Sequence, residues 1–134
     1  MEQATYWDSS ALIAAAIDPA IREKLSSSGQ PISRTHALAE VFSTVTGGRL
    51  GYRIDADDAA KLLKELSSHL EFVDLDASET LKTLAQARAK GIRGGQVHDY
   101  LHAAAAMKAQ CSILLTLNLR DLANLFEELT VVEP

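Results

Sequence analysis

The chain has 134 residues, the size of one ordinary domain with nothing left over for a second. Apolar residues make up 47% and charged residues 23%, which excludes disorder, and the 5% aromatic content leaves a core of Leu, Ile, Val and Ala. The formal charge, 13 − 18 = −5, has the wrong sign for gripping nucleic acid by phosphate neutralisation alone, a mode that needs clustered Lys and Arg.

In chain order, Ala4 to Trp7 reads as a short strand ending at Asp8, and Ser9-Ser10 leads into a helix over Ala11 to Ile17 that stops at Asp18-Pro19. The start of the chain has neither a basic cluster nor a long apolar run, so neither signal peptide nor membrane anchor is expected, and the expected location is the cytoplasm. Arg22 to Leu25 is a helical fragment, Ser26 to Gly29 a turn and Pro31 to Ser33 a second strand. Thr35 is placed to cap a helix running to Thr46 and ended by Gly47-Gly48. Asp55 starts another helix, with Ala59, Leu62, Leu63 and Leu66 at helical spacing. Glu71 to Leu75 is a strand, and a helix from Asp76 or Ser78 leads to Gly91.

After the loop Gly91 to Gly95, an Ala-rich helix runs from Val97 to Gln110, followed by the most apolar strand, Ser112 to Leu115. Cys111, the only cysteine, excludes an internal disulfide and reads as core filler in a reducing compartment. Asn118 to Asp121 is a loop, Leu122 to Glu127 a short helix and Leu129 to Val132 a last strand. Strands alternating with helices predict a single α/β domain over residues 1–134, a three-layer α/β/α sandwich with a mostly parallel central sheet.

Ligands of open α/β folds bind beyond the C-terminal ends of the strands. Asp8 and the run Thr116-Leu117-Asn118 stand at such ends, with Asp121 just beyond. Asp8 could serve as a helix cap, a metal ligand or both. Leu38, Val41, Phe42 and Val45 form an apolar stripe, and at about 100° per residue Glu40 points nearly opposite it. His36, Ala37, Ser43 and Thr44 flank it, so it is either a solvated carboxylate or part of a cleft wall. Asp99 opens its helix, where a carboxylate suits the helix dipole, with His102, Ala103 and Ala106 along its face. Gly94-Gly95 before it is a turn or a point of close approach. Thr116, Asn118 and Asp121 could equally make local turn bonds. A few Asp and Glu near one strand edge suit magnesium or manganese, whereas His36, His69, His98 and His102 lack zinc spacing.

Taken in order, these residues resemble the PIN-domain family. Tyr6-Trp7-Asp8-Ser9-Ser10-Ala11-Leu12 resembles its opening motif, Ala39-Glu40-Val41 its second and Val97-His98-Asp99-Tyr100-Leu101-His102-Ala103 its third. Leu115 to Leu122 resembles the fourth, and the resemblance spans the whole chain. It implies that Asp8, Glu40 and Asp99 bind a divalent metal, Mg²⁺ or Mn²⁺. Asp121 or Asn118 would be the fourth member, and Asn at 118 departs from the commonest acidic version. It further implies metal-dependent hydrolysis of RNA phosphodiesters, with Ser9 and Thr116 as polar positions supporting the acids. Arg34, Arg93 and Arg120 lie beside the motifs and are the expected substrate contacts, together with Ser9, Thr116 and Asn118. Stand-alone domains of this kind are mostly toxins of VapBC-type pairs, which implies a small antitoxin partner and a homodimer. Two other readings stay open within the family: a PIN-like binding module with weak or lost catalysis, and an RNA-processing nuclease without antitoxin. A phosphoacceptor domain is disfavoured because it needs an acidic pair and a Lys that this chain lacks at those strand ends, and an aspartate-nucleophile hydrolase because Ser10 stands where a second Asp is needed.

Overall fold

The computed structural model describes residues 3–134. Five strands form one sheet: β1 Ala4–Trp7, β2 Gln30–Ser33, β3 Glu71–Phe72, β4 Ile113–Leu115 and β5 Thr130–Val132. Their order is β3-β2-β1-β4-β5 and every pairing is parallel, so the sheet is wholly rather than mostly parallel. The helices are α1 Ser9–Ile17, α2 Pro19–Ser27, α3 His36–Thr46, α4 Ala56–Ser67, α5 Ala77–Ala85, α6 Gln96–Lys108 and α7 Leu119–Leu122.

Strand alternation sends successive side chains of β1 to opposite faces. Trp7 packs with Ala11, Leu12, Val41, Val45 and Leu66 from α1, α3 and α4. Tyr6 packs on the other face with Tyr100, Ala103 and Ala106 of α6 and Leu122 of α7. Both aromatics are fully buried, so the central strand serves two cores and the layers number three. Ala-rich α1 packs mainly on α2 and α3, and α6 on α5, α7 and β2, so both are covered on more than one side and carry little outer polar face.

Four boundaries differ from the expectations. Asp18 ends α1 and also caps α2, whose first residue is Pro19, so α2 begins earlier than the Arg22–Leu25 fragment suggested and reaches Ser27. Strand β3 is two residues long instead of five, because Asp74 leaves the ladder to accept hydrogen bonds from the Thr35 N–H (2.9 Å) and hydroxyl (3.1 Å). Thr35 consequently makes no side-chain cap on α3. The short helix after β4 lies at Leu119–Leu122, on residues expected to loop, since Asp121 and Leu122 N–H both turn back to the Asn118 carbonyl. Asn124, at φ 68°, prevents its continuation over 123–127. Similarly, α5 stops at Ala85, and a short 3₁₀ turn at Arg88–Lys90 carries the chain to Gly91.

Helix α5 is the peripheral element. It buries no residue, and Leu81 is 68% exposed. What holds it is polar: a capping box between Asp76 and Glu79, the Tyr100 hydroxyl donating to the Thr83 carbonyl, and Lys108 paired with Glu79.

Candidate active site at the sheet edge

Asp8 follows β1 directly, and its backbone N–H still pairs with the Leu115 carbonyl of β4. The side chain is 1% exposed and takes three donors. Oδ1 accepts from the Ala11 N–H (2.9 Å) and the Ser10 hydroxyl (2.7 Å), and Oδ2 accepts from the Thr116 hydroxyl (2.5 Å). Asp8 is thus the cap of α1 and also a buried anion tied to the neighbouring strand. Thr116 is held in turn by its own N–H to the Val132 carbonyl and accepts from the Asn118 N–H at 2.9 Å. Ser10 accepts from the Leu117 N–H at 2.8 Å and completes a closed hydrogen-bonded knot across β1 and β4.

Glu40 reaches the same edge from α3. Oε2 accepts from the Ser9 hydroxyl at 3.3 Å and Oε1 meets His102 Nε2 at 3.1 Å. Burial pushes this carboxyl up, but the His102 bond, the imidazole charges of His102 and His36, and the Ser9 bond outweigh that and hold it below its ordinary value. His102 itself is 1% exposed, and its Nδ1 meets the Tyr6 hydroxyl at 2.7 Å. Burial raises the Tyr6 phenol well above its ordinary value, with the Arg34 charge opposing. Glu40 is therefore a cleft wall rather than a solvated carboxylate. The cleft between α1 and α3 has a volume of about 460 Å³ and is lined by Ser9, Ser10, His36, Glu40, Ser43 and Arg49, among others. Ala37, which the helical wheel set beside Glu40, lies instead in the core.

Asp99 lies in the first turn of α6, half-buried. Its carboxyl is pushed above its ordinary value by burial and then by the Asp8 charge, while His102 opposes; Asp121 adds to the rise and the neighbouring Asn118 amide eases it. Asp8, Asp99 and Asp121 thus share one electrostatic environment, and Glu40 adjoins it through His102. Asp121 and Asn118 are exposed at the start of α7. Among the described residues, side-chain ion pairs occur only at His102–Glu40 and Lys108–Glu79, so Asp8, Asp99 and Asp121 have no cationic partner. Before α6, Gly94 has φ 60°, and a Cβ on Gly94 or Gly95 would meet nothing within 4 Å. The pair is a turn and not a point of close approach.

The three expected substrate arginines part company. Arg34 is half-buried after β2, close enough to Tyr6 to act on its charge, and its Nε is buried without a hydrogen-bond acceptor. Arg93 and Arg120 are exposed and make no side-chain bond among the described residues. Sequence reasoning missed Ser10 as a bonding hub, His102 as a partner of Glu40, and Arg49 as the cation lining the cleft. For His102 a signal existed: an imidazole three residues after Asp99 in an otherwise Ala-rich stretch shares its helix face.

Oxygen donors and uncompensated negative charge suit a hard divalent cation by donor chemistry and by charge. No three His, Cys, Asp or Glu side chains among the described residues converge closely enough to enclose one. The PIN domain family model matches residues 5–125. The chain belongs to the PIN-domain family. Members of that family are nucleases and generally use divalent metal ions. The PIN fold seen here is similar to PAE2754 from Pyrobaculum aerophilum, with TM-score 0.70 and 20% identity over 98% of this chain and 90% of that one. It is also similar to VapBC2 from Rickettsia felis bound to a DNA fragment from their promoter (TM-score 0.68, 18% identity, 96% and 97% covered). VapBC-1 from nontypeable Haemophilus influenzae gives TM-score 0.65 and 14% identity, with 98% of each chain covered. No curated protein matches this PIN domain in sequence. No helix among the described residues is long and apolar enough to cross a membrane.

Proposed function

We propose that this PIN domain is a metal-dependent endoribonuclease and the toxin of a VapBC-type pair, acting in the cytoplasm as a homodimer with a small antitoxin partner. The observation that supports it best is that the charges of Asp8 and Asp121 both act on Asp99, with no cationic side chain paired to any of the three among the described residues. Asp8, Glu40, Asp99 and Asp121 are the residues that would hold Mg²⁺ or Mn²⁺. A bound divalent ion would supply charge stabilisation for the phosphate and lower the pKa of an attacking water.

The chain's own residues divide the remaining work. Thr116, Ser10 and the Ala11 N–H fix Asp8 in one orientation. Ser9 and His102 fix Glu40 at the mouth of the cleft. Asn118 stands beside Asp99, where its amide could donate to a substrate oxygen. Arg49, which lines the cleft, is the cation best placed to meet the RNA backbone, and Arg34, half-buried with its Nε out of reach of solvent, would meet it only through its terminal nitrogens. Arg93 and Arg120, exposed nearby, would extend that contact outward, and Ser9 would face the substrate, whereas Thr116 is fully buried and would act on it only through Asp8. The antitoxin is supported by the likeness to two VapBC structures.

Incubation of the purified chain with structured RNAs in Mg²⁺, Mn²⁺ or EDTA, beside Asp99→Asn, tests this reading. Discrete cuts that require both metal and Asp99 are expected. Metal binding without any cut would favour the silent PIN-like binding module instead, a reading supported by Asn118 and by the open spacing of the carboxylates.

A further inference from the structure

His102 comes from the layer behind the sheet, yet its partner Glu40 belongs to α3 in the layer in front. The imidazole crosses over the C-terminal edge of the sheet to make that contact. Both ring nitrogens are occupied: Nδ1 meets the Tyr6 hydroxyl at 2.7 Å and Nε2 meets Glu40 Oε1 at 3.1 Å. Tyr6 is itself fully buried in β1, with its ring packed edge-on to the imidazole at 5.7 Å between centroids. The Tyr6 contact can run in either direction, because a hydroxyl both donates and accepts. The Glu40 contact cannot: a carboxylate only accepts, so Nε2 must carry the hydrogen.

Since the ring is 1% exposed with no free nitrogen, it cannot exchange a proton with a substrate in the cleft. We infer that His102, clamped by Tyr6, is a positioning residue that holds Glu40 by its Oε1 and leaves Oε2 facing Ser9 and the cleft. Glu40 is on the end of a long side chain with three rotatable bonds, and besides His102 only Ser9 of α1 meets its carboxylate among the described residues. The same imidazole acts on the charge of Asp99, so one buried ring adjusts an acid from each layer. The inference rests on the nuclease reading for its purpose, while the bond itself does not.

Two measurements test it on the full chain. Long-range ¹H–¹⁵N NMR without metal should find the hydrogen of His102 on Nε2. Glu40→Gln should shift that resonance more than those of His36, His69 or His98. A hydrogen on Nδ1 with a bare Nε2 would overturn the inference. Mn²⁺ titration followed by electron paramagnetic resonance then compares three proteins with matched thermal unfolding. His102→Leu should weaken Mn²⁺ about ten- to hundredfold, as loss of an outer-shell partner does. His102→Gln, which keeps an amide donor near the Nε2 position, should recover most of that loss. Equal affinity in wild type and His102→Leu overturns the inference, as does a wild type that binds no Mn²⁺. Wild type that binds Mn²⁺ but cuts no RNA would sink only the ribonuclease reading, and the variant series would still decide His102.

Discussion

The two halves of the acidic edge are built differently. The inner half, Asp8 and Glu40, is fixed by hydrogen bonds from Ala11, Ser10, Thr116, Ser9 and His102. The outer half, Asp99 and Asp121, has no comparable set of donors, with the His102 ring and the Asn118 amide acting on Asp99 alone, and lies on the first turn of α6 and on four-residue α7. A carboxylate with three donors keeps one orientation whatever arrives, whereas one flanked by other carboxylates is held at a cost until a cation arrives. The inner half therefore sets geometry and the outer half responds to charge.

The largest effect expected from this contrast is on Asp8. Asp8→Asn should reduce RNA cleavage by about a hundredfold or more, on the scale of losing one preorganised electrostatic group. It should also abolish any rise in unfolding temperature on adding Mn²⁺. A variant that keeps both responses would break the division. Next comes Thr116→Val, which deletes a buried hydroxyl donated to a carboxylate. We expect a loss of about 1.5–3 kcal/mol in denaturant unfolding, together with reduced cleavage. Loss of activity with stability unchanged would show that Thr116 acts on the substrate rather than on Asp8.

Asp99 should behave in the opposite sense for stability. Its folded-state pKa is raised, so between the unfolded and folded values the native chain binds more protons than the unfolded chain. Its contribution is therefore fully present below the unfolded value, about pH 3.9, and is lost as pH rises through the folded one. Asp99→Asn should then unfold at a higher temperature than wild type at neutral pH without metal, while cutting no RNA. Parallel melting curves at acid and neutral pH, in EDTA, check this. A melting temperature that falls at neutral pH would remove the charge argument for the outer half. The smallest effect is expected at the exposed rim: Asp121→Asn should lower cleavage about tenfold or less with stability within about 0.5 kcal/mol. Equality with Asp8→Asn in cleavage would move Asp121 into the inner set.

The same contrast explains what could be read from the sequence. The alternation of strands and helices, the apolar stripe of α3 and the strand ends at Asp8 and Thr116 are local patterns, and the parallel α/β sheet followed from them. The lengths of β3 and α7 did not, since Asp74 is drawn off by Thr35 and Asn124 takes a left-handed turn. Motif order singled out Asp8, Glu40, Asp99 and Asp121 as one group. The resemblance also named Thr116 and Ser9 as supports of the acids, but the clamp on Glu40 stayed hidden, because His102 is 62 residues away. Helical period reports which face a residue occupies, and it carries no information about a partner arriving from another layer.

That separation along the chain also orders events in time. During synthesis Asp8 emerges before the Thr116 hydroxyl that ties it across the sheet, which follows 108 residues later, just past β4. Contacts of such long sequence separation form late, after their loop entropy has been met. A nascent chain on the ribosome accordingly carries the first acid with only the local donors of Ala11 and Ser10 to hold it. The full set of donors around that acid therefore assembles only once β4 has emerged and paired with β1.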